Sequence, residues 1–138
     1  MQQLTQEILR LCREYGECRV EAERMEEARR VKNALESVCA MARQRLDISD
    51  PALLLALLDA CEVTRDEGML QEVLDVVGRN LDRLAVSAES VKLLACCYYY
   101  VEEKECVERA GRMLEELRKM GRGEEELADV ETILEELT

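Results

Sequence analysis

The residues of this 138-residue chain that could carry out chemistry are cysteines, carboxylates and tyrosines, because the sequence contains no histidine, tryptophan or phenylalanine. Without histidine there is no Ser-His-Asp triad, no Cys-His dyad, no H-E-x-x-H zinc motif and no Glu-x-x-His di-iron motif. The sequence also has no glycine-rich phosphate loop, no calcium-binding loop and no dinucleotide-binding fingerprint. We therefore predict that the protein is not an enzyme and binds no cofactor.

The cysteines are odd in number and lie scattered along apolar helical faces, at positions Cys12, Cys18, Cys39, Cys61, Cys96, Cys97 and Cys106. They do not form the paired C-x-x-C knuckles of a zinc site, so no metal site is predicted. We interpret these cysteines as small buried apolar side chains whose thiols stay free in a reducing compartment. For a natural protein this predicts the cytoplasm. Cys106 has the best position for a reactive thiol, near the start of a predicted helix, but Glu103 and Glu105 are expected to raise its pKa.

The charge of the chain is strongly acidic, with 19 Lys and Arg against 31 Asp and Glu and a net charge of −12. This charge disfavours nucleic acid and anionic membrane surfaces as partners. The longest apolar run, from Ala52 to Leu58, is far shorter than the roughly 20 residues that cross a bilayer, so no membrane partner is expected. The cluster Glu21, Glu23, Glu26 and Glu27 alternates with arginines, which predicts a solvated helix face with i,i+3 and i,i+4 ion pairs.

Three consecutive tyrosines, Tyr98, Tyr99 and Tyr100, are the feature that most favours a binding function. Successive helical residues point about 100° apart, so the three rings cannot all face one core. Exposed tyrosine is enriched at the energetic centres of protein interfaces. We predict that Tyr99 and Tyr100 contact a partner, while the alternative is that they lie at helix margins with wet hydroxyl groups.

The elements that must position these residues are amphipathic helices, and 48% apolar with 36% charged residues is typical of helical proteins. The predicted fold is all-α, a single domain of six to seven antiparallel helices. Hairpins are expected over residues 4–46, 51–84 and 88–119, followed by a C-terminal helix over 124–137 that opens with three glutamates. The first segment is predicted to turn at Gly16, with one helix of about 45 residues as the alternative.

Local capping signals predict where the later helices begin. Ser49 or Asp50 is expected to cap a helix that starts at Pro51, where the missing N–H costs nothing. Asp66 and Ser87 are the predicted caps of the two helices that follow. A further turn is predicted at Glu102 and Glu103, and Gly121 to Gly123 should end the next helix.

An internal repeat relates two of these segments. Residues 72–84 match 105–117 at an offset of 33, and residues 57–61 match 93–97 at an offset of 36. Gly78 and Gly111 occupy equivalent places inside helices, where glycine costs about 1 kcal/mol relative to alanine, so close helix packing is the expected reason for both.

Over residues 51–119 the repeat resembles the tetratricopeptide group of α-solenoids. Leu94, Ala95 and Tyr98 stand where those repeats carry a leucine, a small residue and a tyrosine. The chain lacks the proline of the repeat end, and Ala110 lies three residues beyond the alanine position of the second helix. A HEAT-like or armadillo-like pair, or a plain antiparallel bundle, stays open. The resemblance implies a scaffold that binds partner proteins without catalysis.

Two functional hypotheses follow, and they differ in class. The first is a protein-binding module, monomeric or homodimeric, in which Tyr99, Tyr100 and an acidic rim recognise a protein or peptide with basic side chains. The second is a designed helical protein without natural activity, favoured by the missing histidine and phenylalanine and opposed by seven cysteines and six methionines. A melting temperature near about 50 °C is expected for the first and above about 90 °C for the second.

Overall fold

The described chain is all-helical, as the sequence predicts. A computed structural model describes residues 2–121, 128, 131–132 and 135–136. Within that part of the chain there is no β-strand, and six α-helices are present: α1 (Gln2–Cys18), α2 (Met25–Arg43), α3 (Pro51–Thr64), α4 (Glu67–Arg79), α5 (Ala88–Val101) and α6 (Lys104–Lys119). None of these helices has the length and apolar content that a membrane span requires.

The chain divides into two compact units, Met1–Val73 and Leu74–Thr138. In unit 1, α1 packs against both α2 and α3, and α2 also packs against α3. The largest fully buried side chains of this unit include Ile8, Leu35, Leu53, Leu54 and Leu57. In unit 2, α5 packs against α6 through a core that includes Val91, Leu93, Leu94, Ala110, Met113 and Leu117.

The first segment is a helical hairpin, but the predicted position of its turn is wrong. Gly16 lies inside α1, which continues to Cys18. The turn follows, with a hydrogen bond from the Glu21 N–H to the Cys18 carbonyl at 3.2 Å and a short 3-10 helix at Ala22–Arg24. Ala22 and Met25 lie beyond the end of α1 and are exposed, Met25 by 56%.

The predicted caps of the later helices are confirmed. The Asp50 Oδ1 accepts a hydrogen bond from the Leu53 N–H at 3.2 Å, so Asp50 rather than Ser49 caps α3. The Asp66 Oδ1 accepts from the Met69 N–H at 3.0 Å at the start of α4. The Ser87 Oγ accepts from the Ser90 N–H at 3.1 Å at the start of α5. Each side chain satisfies a backbone donor that the helix itself leaves unpaired.

The explanation expected for the two helical glycines is wrong. A Cβ placed at Gly78 or Gly111 meets no described atom within 4 Å, so neither position brings two backbones close together. At the end of α6, Gly121 has a φ of +67°, a conformation that glycine adopts at no steric cost. The predicted C-terminal helix over 124–137 has its apolar stripe, Leu127, Val130, Leu134 and Leu137, outside the described residues.

Candidate functional site

The three tyrosines occupy the last turn of α5. Before this turn the helix is buried on several sides, by residues that include Leu93, Leu94, Ala95 and Cys97. Tyr98 and Tyr100 are half-buried, whereas Tyr99 is 70% exposed. The rings of Tyr99 and Tyr100 meet edge to face, with centroids 5.3 Å apart and an interplanar angle of 86°. This T-shaped contact is a favourable geometry for an aromatic pair.

An acidic turn follows the tyrosines directly. α5 ends at Val101, which is 40% exposed, and Glu102 adopts the left-handed conformation with a φ of 53°. The Glu102 N–H donates to the Tyr98 carbonyl at 2.8 Å, which satisfies one of the last carbonyls of the helix. Glu103 precedes α6 but its side chain accepts no capping hydrogen bond. Both glutamates are exposed.

We call Tyr99, Tyr100, Val101, Glu102 and Glu103 the tyrosine–acid surface. Its aromatic rings offer apolar area and a negative π-face, and its carboxylates accept charged hydrogen bonds. Both properties suit lysine and arginine side chains, which bind over aromatic faces and pair with carboxylates.

The cysteines are placed as the sequence predicts for small apolar side chains. All except the half-buried Cys96 are buried. Burial raises the pKa of Cys12 to about 11 and the pKa of Cys39 and Cys61 to about 12, so these thiols stay protonated at neutral pH. The pKa of Cys106 is raised first by burial and then by Glu103 and Glu105, which confirms the expected direction for this thiol.

Two members of the acidic cluster in the first hairpin, Glu21 and Glu27, form i,i+3 ion pairs of the predicted kind. The Arg24 guanidinium bonds Glu27 through Nε at 2.9 Å and lies 3.4 Å from the Glu21 carboxylate. The hydrogen bond from Arg24 lowers the pKa of Glu27 below its ordinary value. Over the described residues, no three cysteine, aspartate or glutamate side chains lie together as metal ligands would.

A second surface feature, a groove between α1 and α2, was not predicted from the sequence. It has a volume of about 740 Å³ and is lined by residues that include Leu4, Glu7, Arg10, Val38, Met41 and Arg45. Met41 is 57% exposed and is followed in the sequence by the buried Ala42. A large apolar side chain outside the buried face of α2 was therefore the one sequence signal that could have indicated this groove.

In comparisons with known proteins, no protein-family model matches the chain, and neither a curated protein nor a solved structure matches it significantly.

Proposed function

We propose that the protein is a non-enzymatic interaction module, built from helical hairpins, that binds a basic segment of a partner protein through the tyrosine–acid surface. The observation that carries this proposal is the 70% exposure of Tyr99 beside the half-buried Tyr100. An exposed tyrosine in contact with a second ring offers a rigid aromatic area whose ordering on binding costs little entropy.

The acidic turn is the reason for proposing a partner segment with basic side chains. Glu102 and Glu103 are exposed and follow the tyrosines without an intervening element. In a chain of net charge −12, such residues attract basic segments and repel acidic ones. Arginine is the favoured contact, because its planar guanidinium can stack on a ring and pair with a carboxylate at the same time.

The helical-hairpin arrangement is part of the proposal. α3 and α5 each contain 14 residues, and each ends at a residue in the left-handed conformation, Arg65 and Glu102. In both cases the N–H of that residue donates to the carbonyl four positions earlier, at 2.8 Å. This shared ending, at a spacing of 37 residues against the 36 at which residues 57–61 match 93–97, supports a repeat of helical hairpins.

Selective ¹⁵N labelling of tyrosine tests the proposal, because the chain contains only Tyr15, Tyr98, Tyr99 and Tyr100 and gives a four-signal spectrum. The probe is a 16-residue peptide that alternates arginine with leucine and serine, and the control peptide has glutamate in place of arginine. We expect the signals of Tyr99 and Tyr100 to shift with the basic peptide, while the signal of Tyr15, in α1 of unit 1, stays in place.

Matched alanine variants make the test quantitative. Tyr99→Ala should weaken binding of the basic peptide at least about tenfold, as expected for an interface hot spot, whereas Tyr15→Ala should leave it unchanged. Equal losses for the two variants, or equal binding of the two peptides, would contradict the proposal. A melting temperature above about 90 °C together with no binding would favour the alternative, an idealised helical fold without natural activity.

A further inference from the structure

The groove between α1 and α2 is an apolar channel with charged margins. Val38 and Leu4 are half-buried along it, and Met41 presents 57% of its surface to solvent. Methionine is flexible and polarisable, and it is common at surfaces that accept apolar side chains from a partner. A volume of about 740 Å³ is large enough for several such side chains.

The two arginines of the groove differ in their ion pairing. Arg10 lies between two carboxylates of α1, with its Nε 3.2 Å from Glu7 and a terminal nitrogen 2.6 Å from Glu14. Its charge is therefore already neutralised within the helix. The Arg45 side chain, just after the end of α2, forms no hydrogen bond or ion pair with any residue that the structure describes.

One positive charge of the groove, on Arg45, has no partner among the described residues. The other two charged residues of the lining, Glu7 and Arg10, pair with each other, so Arg45 is the charge that the groove offers to a ligand in a chain of net charge −12. A ligand with a carboxylate is thus attracted to the Arg45 side of the groove, where a guanidinium can bind it in a bidentate manner. The lining offers a basic ligand no unpaired carboxylate, because its glutamate, Glu7, already binds Arg10.

We propose that this groove binds an acidic amphipathic helix of a partner protein, with apolar side chains packed on Met41 and Val38 and a carboxylate paired with Arg45. A channel between two helices accepts side chains at i, i+3, i+4 and i+7 of a third helix. This site goes beyond the function proposed above, since it lies in unit 1 and selects the opposite charge.

Peptide binding measured by fluorescence anisotropy tests this site. The probe is a labelled 18-residue helical peptide with leucine at i, i+3, i+4 and i+7 and glutamate at the flanking positions. The comparison peptide has lysine at every glutamate position and the same leucines. We expect the acidic peptide to bind with a Kd below about 100 µM and the lysine peptide to bind at least tenfold more weakly.

Two pairs of exposed variants assign the binding to the groove. Arg45→Glu should weaken binding of the acidic peptide at least tenfold. Arg29→Glu, the same charge change at an exposed residue of α2 outside the groove lining, should change the affinity of the peptide less than twofold. Met41→Ser should weaken binding of the acidic peptide about fivefold. Met25→Ser, at a methionine with a similar exposure of 56%, should leave binding unchanged. Circular dichroism should be the same for all four variants, because none of these side chains is buried.

The following outcomes would overturn the proposal. Absence of binding, equal binding of the two peptides, or equal effects of Arg45→Glu and Arg29→Glu would each show that the groove does not select an acidic helix. A dimer in light scattering that Met41→Ser dissociates would identify a second copy as the occupant instead. The Tyr99→Ala variant should bind the acidic peptide with unchanged affinity. Failure of the groove proposal can therefore be distinguished from failure of the function proposed for the tyrosine–acid surface.

Discussion

The turn that follows α3 and the turn that follows α5 share a backbone conformation but use their acidic residues differently. Each consists of two residues, and the first of each, Arg65 or Glu102, is left-handed. In the first turn, the Asp66 carboxylate caps α4 and lies 3.7 Å from the Arg43 guanidinium. In the second, Glu103 makes no capping bond to α6.

This difference separates acidic residues that the fold requires from those that it leaves to solvent. The carboxylate of Asp66 satisfies a helix donor and stands near a cation, so a partner could reach it only at the expense of stability. The exposed carboxylates of Glu102 and Glu103 have neither task, and two tyrosines precede them with only Val101 between. The comparison therefore supports the second turn as the recognition surface.

The largest expected effect comes from replacing the second residue of each turn by alanine. Asp66→Ala should lower the free energy of unfolding by about 1 to 2 kcal/mol, because the Met69 N–H loses its capping acceptor. Glu103→Ala should change it by less than about 0.5 kcal/mol, since no capping bond is lost. Urea denaturation followed by circular dichroism measures both values. Similar losses for the two variants would remove the distinction between the turns.

A smaller effect, of opposite sign, is expected at the first residue of each turn. Arg65→Gly and Glu102→Gly should each raise the free energy of unfolding by about 0.5 kcal/mol, because a left-handed conformation costs a side-chain-bearing residue more than it costs glycine. The control is the opposite substitution, Gly111→Ala, inside α6. It should also stabilise the fold, because alanine is favoured over glycine within a helix and the added Cβ meets no described atom. Destabilisation by Glu102→Gly would mean that the left-handed residue of this turn does not limit stability.

The smallest effect concerns the pH dependence of the ion pair beside the first turn. The Arg43 Nε donates to Glu72 at 3.0 Å, and this hydrogen bond lowers the pKa of Glu72 below its ordinary value of 4.5. A carboxylate with a lowered folded pKa stabilises the fold above its unfolded pKa and loses that contribution as pH falls through the folded value.

Arg43→Met should therefore lower the free energy of unfolding at pH 7 by about 0.3 kcal/mol, a small value because the pair is partly exposed. The difference between wild type and variant should shrink as the pH falls below about 4. Denaturation curves at pH 7 and pH 3 check this expectation. Lys104→Met, at an exposed cation beside the second turn, is the control and should show no such pH dependence.

Helix starts were predictable from the sequence where a single side chain caps the helix. Pro51 with Asp50, Asp66 and Ser87 each fix a boundary through a bond that spans three residues, so the sequence around them is enough. The exposure of at least one tyrosine was predictable for a similar reason, because three consecutive helical residues cannot all face one core. Which ring is exposed was not predictable, since Tyr99 lies one helical turn after the buried Ala95.

Helix ends were less consistently predictable, because glycine marks the end of α6 at Gly121 but not the end of α1 at Gly16. Gly16 suggested a turn, yet tertiary packing of α1 against α2 and α3 keeps it in a helix that ends at Cys18. The left-handed ends of α3 and α5 fall on arginine and glutamate, which carry no sequence signal for that conformation. The groove was missed because it depends on two helices that are separate in sequence.

The distribution of thiols gives the molecule a set of internal probes of its own opening. Buried cysteines lie in α1, α2, α3, α5 and α6, so both compact units carry them. A thiol held protonated inside a core reacts with an alkylating reagent only when its helix opens locally. Mass spectrometry of timed alkylation would then rank the helices by the free energy of local opening, without any substitution in the chain.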